Sequence, residues 1–164
     1  MVFICVCGLV NSQDFPVPDK YTMDEKEDYK PYEPQIKATI DWYLGQSLGS
    51  DPKKRAAASE FFMKWIGGTP DVSVGIDARI VNFMGTNREL LLPFIMGWVK
   101  YSLDNDYSKD MVLANKAGIE AVVAYYDKNK GFLKKDKNVE KYAKLIRKGQ
   151  LEEEIRKIFD KNKK

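Results

Sequence analysis

Residues 34–68 read PQIKATIDWYLGQSLGSDPKKRAAASEFFMKWIGG, and the spacing of apolar residues in this stretch decides the fold class. Ile36, Ile40, Tyr43, Leu44 and Leu48 recur at the period of one helix face, and the stripe stops at Gly49. Pro34 suits a first helical turn, where a missing N–H costs nothing. Asp51 then has the side chain of an N-cap, with Pro52 at the first helical position, and Ala58, Phe61, Phe62, Trp65 and Ile66 repeat the stripe up to Gly67-Gly68. Two such helices on so short a connection fold back as an antiparallel hairpin.

Working outward toward the C-terminus, Val72, Val74 and Ile76 alternate with period two before Ile80, Val81, Phe83 and Met84 return to helical spacing. An extended run followed by a short helix from about Asp77 is predicted there. Thr86 and Glu89 have capping-box spacing and place a helix start ahead of Leu90, Leu91, Phe94, Ile95, Trp98 and Tyr101, with a kink or late start at Pro93. Asp104-Asn105-Asp106 ends that helix. Ser108 is the predicted cap of the next, in which Val112, Ile119, Val122, Val123 and Tyr126 hold the period until Gly131. Val139, Tyr142, Ala143 and Ile146 mark a helix ending at Gly149, and Leu151, Ile155, Ile158 and Phe159 mark the last one.

The fold class is all-α: a single compact bundle of about five to seven amphipathic helices with short loops, compatible with stacked helical hairpins. Gly97 and Gly118 fall inside helical patterns, where each costs roughly 1 kcal/mol relative to Ala, and close helix approach is the plain reason to keep them. Trp42, Trp65 and Trp98 belong to the core stripes. Trp42 lies slightly off its stripe and is predicted to be partly exposed.

Working outward toward the N-terminus, residues 13–33 form a Pro-, Tyr- and acid-rich lead with no apolar period, read as an extended segment that crosses the domain surface through Phe15, Tyr21, Tyr29 and Tyr32. Before it, Val2 to Val10 is an apolar stretch closing on Ser12, with Val10 two positions earlier, the pattern of a signal-peptide h-region and cleavage site. The stretch is too short to span a bilayer. No Lys or Arg precedes Lys20, so a signal peptide here is a truncated remnant, 1–12, with the start codon upstream. The other reading is a buried strand, because Val-Phe-Ile-Cys-Val-Cys has strong β propensity. Cleavage before Gln13 would remove both cysteines, Cys5 and Cys7, and with them any disulfide, thiol nucleophile or Cys metal site. A lipid anchor on Cys7 fits less well, since Val6 stands where a small residue belongs. The helical domain is then 34–164, and the expected location is exported, periplasmic or extracellular.

Composition narrows the chemistry. The 164 residues are 44% hydrophobic and 31% charged, with 27 basic and 24 acidic side chains, a net charge of +3 and no histidine. A Ser-His-Asp triad, a His-ligated metal and an imidazole switch are thereby excluded. The mild total hides an asymmetry. From Lys128 onward there are 14 basic and 6 acidic residues, and before it 13 and 18. This basic region supplies a candidate partner surface at Lys134, Lys135, Lys141, Lys144, Arg147 and Lys148. Two polar turns, Asp104 to Asp110 and Asp127 to Gly131, start like calcium loops but lack the glycine at the sixth place and the Glu at the twelfth. Trp42 and Leu44-Gly45 have nearly the spacing of a tetratricopeptide start, but no such pattern recurs. An acid-pair enzyme would need two carboxylates together, and Asp41, Glu60, Asp77 and Glu120 are the candidates near apolar stripes. No catalytic, cofactor-binding or metal-binding residue is assigned, and no cofactor is expected.

The stretch FFMKWIGGTPDVSV, followed by ELLLPFIMGWVKYSL and NKAGIEAVVAYYDKNKG, resembles a group of small exported helical proteins of Bacteroidetes-type bacteria, from about Pro34 to Phe159. The resemblance implies an exported helical domain and carries over no functional residue. The expected function is that of an exported, non-enzymatic protein that binds a macromolecular partner, such as an unknown protein or anionic envelope component, or a small ligand at the cell envelope. The alternatives are a carboxylate-dependent hydrolase and a nucleic-acid-binding protein acting through its basic C-terminal region. Lysine prevails there over arginine, and Glu152, Glu153 and Glu154 dilute the patch, which argues against nucleic acid.

Overall fold

A computed structural model describes residues 15–161. The predicted leader, the predicted cleavage junction at Ser12-Gln13, and both cysteines lie outside the described residues. The chain forms a single helical bundle of α1 (Glu33–Gly45), α2 (Pro52–Gly68), α3 (Leu91–Asp104), α4 (Met111–Lys128), α5 (Lys137–Arg147) and α6 (Leu151–Asp160). Short 3-10 turns join and precede them, and there is no strand among the described residues. No helix of these residues is long and apolar enough to cross a membrane. Helix α4 is the axis of the bundle, touching α1, α3, α5 and α6.

Local chemistry sets the helix ends. Asp51 accepts from the N–H groups of Lys53 and Lys54 at the start of α2, with Pro52 behind it, as the sequence predicts. Helix α1 stops at Gly45, short of the predicted Gly49. The ammonium of Lys128 caps the freed carbonyls of Leu44 and Gly45, and Asn129 Oδ1 takes the Leu48 N–H at 2.7 Å. Leu48 therefore belongs to the connection. The cap of α4 is Asp110, which accepts from Val112 and Leu113, and not the predicted Ser108. A carboxylate at the positive end of a helix is the stronger acceptor. Gly149, with φ of +67°, closes α5 by placing its own N–H on Ile146 O and that of Gln150 on Leu145 O.

Residues 72–77 have no regular secondary structure, and the short helix predicted from Asp77 is a turn followed by a 3-10 helix over Asn82–Gly85. Asp77 holds the turn through the N–H groups of Arg79, Ile80 and Val81. The Thr86/Glu89 capping box does not form, because Asn87 occupies the N-cap position of the turn at Arg88–Leu90 and its side chain is used elsewhere. Helix α3 proper begins at Leu91, which leaves Pro93 in the first turn, where its missing N–H is harmless.

Asn87 is only 2% exposed, and its amide clamps the loop before α5. Its Oδ1 accepts from Lys134 N at 2.9 Å, and its Nδ2 donates to Lys134 O at 3.0 Å and to Asp136 Oδ2 at 3.3 Å. Asn87→Ala would strand a backbone donor and acceptor together, so a loss of about 2 kcal/mol in unfolding free energy is expected by urea denaturation. A loss below about 0.5 kcal/mol would mean that water replaces the clamp.

The lead is seated on α1 and α2 by its aromatic residues. Phe15 meets Trp42 edge-on at 5.0 Å, and Tyr21 and Tyr32 meet Phe61 at 4.9 and 5.9 Å. Met23 is buried. Trp65 Nε1 donates to Tyr29 O at 2.9 Å, and the Tyr29 hydroxyl donates to Met23 O. Trp42 is only 7% exposed, contrary to the partial exposure predicted, because Phe15 covers the ring edge that a helix-only reading leaves open. Trp65 and Trp98 are core residues, as predicted.

Candidate functional site

The predicted basic surface is divided by the fold. All six of its residues are exposed. Lys135 lies 3.8 Å from Glu140, and Lys141 pairs with Glu154 across the α5–α6 contact at 2.7 Å. The Lys141 ammonium holds the Glu154 carboxyl below the usual carboxylate range. Lys134 is held through its backbone by Asn87, and Lys148 follows the end of α5. Lys144 and Arg147 come together on one face of α5 and form no ion pair among the described residues. They line a cavity of about 260 Å³ with Tyr126, Asp127, Lys130 and Glu140. Lys130 is a member that composition and charge runs do not single out. Its ammonium sits over the Tyr126 ring and binds Asp127 at 2.7 Å, an i,i+3 pair visible in the spacing once α4 is known to end there.

The four carboxylates that acid-pair chemistry would draw on are held apart. Asp41 pairs with Lys100 at 3.2 Å, and Asp77 with Arg79, whose guanidinium lowers the Asp77 pKa. Glu60 is exposed on α2, near enough to Tyr21 to add to the rise that burial causes in that phenol. Glu120 shares a small cavity with Glu152, but Glu152 is bound to Arg156 at 2.8 Å and held in the charged form. No cluster of three or more metal-ligating side chains occurs among the described residues.

A second cavity, about 240 Å³, lies beside the α3–α4 connection and is lined by Asp71, Ser73, Trp98, Ser102, Ser108 and Lys109, among others. Tyr107, which also lines it, and the preceding Asp106 are consecutive left-handed residues with φ of 56° and 50°. Such a pair costs about 1–3 kcal/mol per residue. Its contacts explain the strain: Tyr107 OH donates to the Glu33 carboxylate at 2.9 Å, its N–H donates to Ser102 O at 2.8 Å, and Lys30 covers its ring. The loop ties the end of α3 to the start of α1.

A third concavity has no precursor in the sequence patterns. Between α2 and α3 runs a groove of roughly 370 Å³, walled by Leu48, Met63, Leu91, Leu92 and Ile95, with Tyr43 and Arg55 at its base and Arg88 and Glu89 among its lining. Arg55 donates through Nη1 to Leu48 O at 2.6 Å and through Nη2 to Tyr43 OH at 3.0 Å, and its plane covers the Tyr43 ring. Tyr43 stacks on Tyr125, centroids 6.0 Å apart. Arg55 has no carboxylate partner among the described residues. Arg55 Nε and the Tyr125 hydroxyl are both buried beside Tyr43, and burial, with Tyr43 adding to it and the Arg55 guanidinium opposing it, pushes the Tyr125 phenol up to about 12. Nothing in the sequence marks this cluster. Arg55 reads there as the third of three basic residues at an exposed helix start, and only the fold brings Tyr43 and Tyr125 to it.

No protein-family model matches this chain, and comparison with curated proteins and with solved structures gives no match.

Proposed function

We propose that this protein is an exported, non-enzymatic binding protein of the cell envelope that recognises an anionic macromolecular partner through the outer face of α5. The observation that carries the proposal is the pairing state of the basic residues. Lys144 and Arg147 share a concave face with Lys130 and form no ion pair among the described residues; Asp127 and Glu140 on the same face leave its lining net positive by one, whereas Lys135 lies beside Glu140 and Lys141 pairs with Glu154. Cations left unmatched beside a cavity supply attraction that a solvated, self-paired helix face lacks. Export rests on the Val2 to Val10 run and Ser12, and the resemblance to exported helical proteins supports it.

The test is retention of envelope fractions on immobilised protein, with Lys144→Glu/Arg147→Glu as the comparison. At roughly 1 kcal/mol per basic group near an anionic surface, loss of the two cations alone would weaken retention about thirtyfold, and the two added carboxylates should weaken it further. Salt should weaken it in parallel. Retention that ignores both the double variant and the salt would sink the assignment. Preferential capture of nucleic acid by the parent protein would replace it with the nucleic-acid reading.

A further inference from the structure

We propose that the cavity beside the α3–α4 connection binds a small zwitterion of the free α-amino acid class, with its ammonium at Asp71, its carboxylate at Lys109 and its side chain turned inward to Ser102. The cavity shares no lining residue with the α5 face, and nothing in its chemistry depends on the envelope partner.

The inner end of the cavity has one free polar group in an apolar setting. Ser102 is 2% exposed and lines the cavity. Its carbonyl accepts from the N–H groups of Asn105 and Tyr107, but its hydroxyl makes no hydrogen bond among the described residues. A serine within a helix can return its hydroxyl to the carbonyl one turn back, as Ser59 does to Arg55 O at 2.9 Å. Ser102 does not, so it keeps a donor and an acceptor for a group that enters the cavity. A buried hydroxyl without a partner forfeits its hydration, which a bound polar atom would restore. Trp98, Val72 and Ala114 are buried around it, and the one polar atom of the indole is already bound to Ser73 O at 3.1 Å. A ligand group that reaches this depth is therefore mostly apolar and carries one hydrogen-bonding atom.

The mouth specifies the other end of the ligand. Asp71 and Lys109 are exposed, belong to different segments, and form no ion pair with each other or with any other described residue. The charged group nearest in effect to Asp71 is the Tyr107 phenol, whose pKa it helps to raise. One carboxylate and one ammonium leave the lining neutral, which matches a ligand bearing one charge of each sign and disfavours a simple anion or cation. A neutral sugar would leave both charges unmatched. At about 240 Å³ the cavity lies below the roughly 300–1,000 Å³ of sites for drug-sized ligands, so it suits a molecule as small as an amino acid. Both walls are held in place by the protein itself. The Trp98 bond to Ser73 O fixes one, and the Ser108–Tyr101 hydroxyl contact at 3.3 Å, with Tyr107 on Glu33, fixes the other. Little ordering is then left for the ligand to bring about.

The experiment is calorimetric titration of the full chain with threonine, valine, N-acetylthreonine, threoninamide and glucose. Threonine should bind at one site per chain. Valine, nearly the same shape without the hydroxyl, should bind about fivefold more weakly, the worth of one ordinary hydrogen bond. N-acetylthreonine and threoninamide each lack one charge and should each lose about fivefold, the upper end for a pair that water reaches. Asp71→Asn should erase the preference for threonine over N-acetylthreonine, and Lys109→Gln the preference over threoninamide. Both positions are exposed, so circular dichroism and melting temperature should stay those of the parent. Ser102→Ala should erase the preference for threonine over valine. If Ser102→Ala fails to fold, the two variants at the mouth and the blocked ligands decide the question. Absence of saturable binding by either amino acid, equal affinity for threonine and both blocked forms, or tighter binding of glucose than of threonine would each overturn the proposal.

Discussion

Trp65→Ala is expected to lower the unfolding free energy by about 3–5 kcal/mol and to release the N-terminal lead from the bundle. The indole is fully buried between the lead and the helical core, so truncation leaves a large cavity. The same change removes the donor to Tyr29 O, and Tyr29 in turn holds Met23 O. The two effects share one measurable consequence. Denaturant titration should show the midpoint falling, and trypsin should cut the folded variant after Lys20 and Lys26 much faster than the parent. Trp65→Phe separates the causes: it keeps most of the volume and loses only the hydrogen bond, so about 1 kcal/mol should go, with a smaller gain in cleavage. A variant that loses stability without opening the lead to trypsin would show that Phe15 and Tyr21 hold the segment by themselves.

That network marks where the sequence is legible and where it is not. The stripes at Ile36 to Leu44 and at Ala58 to Trp65 identify α1 and α2 because burial of one helix face is a local, periodic property. The caps at Asp51 and Gly149 can be read for the same reason, since cap and capped groups lie within a few residues. Ser108 and Thr86 misplace two starts. Both have the right chemistry at the right spacing, but a neighbour, Asp110 or Asn87, takes the cap position. The coverage of Trp42 by Phe15 cannot be found in any helical period, because it depends on where a segment with no period of its own lands. The Arg55 cluster is harder still. Its three side chains come from positions 43, 55 and 125, and their relation exists only after α1, α2 and α4 have packed. The basic surface is intermediate: its membership follows from composition, but its division into paired and unpaired cations depends on which carboxylates lie near, Glu140 on α5 for Lys135 and Glu154, brought across by α6, for Lys141.

Gly97→Ala is the second large effect, and its sign runs against helix propensity. In an exposed helix interior the change would stabilise by up to about 1 kcal/mol. Here a Cβ on residue 97 would lie 2.6 Å from Ala117 O and 2.6 Å from the Ala121 Cβ, and 3.1 Å from Gly118 Cα. The obstacle is the backbone of α4, which cannot rotate away as a side-chain tip can. Helices α3 and α4 would have to separate, and their contact is the most extensive in the bundle. Overpacking of this kind costs about 1–3 kcal/mol and occasionally more, so a net destabilisation of roughly 2 kcal/mol or above remains after the propensity gain. Ala121→Gly in the same chain removes one of the two closest contacts and should recover only part of the loss, since Ala117 O stays in place. Gly67→Ala serves as the control. Nothing lies within 4 Å of a Cβ there, so stability should rise by about 0.5–1 kcal/mol. Opposite signs at positions 97 and 67 in one denaturation series are the expected result. If both substitutions stabilise, the close approach of α3 to α4 at Gly97 and Gly118 is not what the small residues maintain.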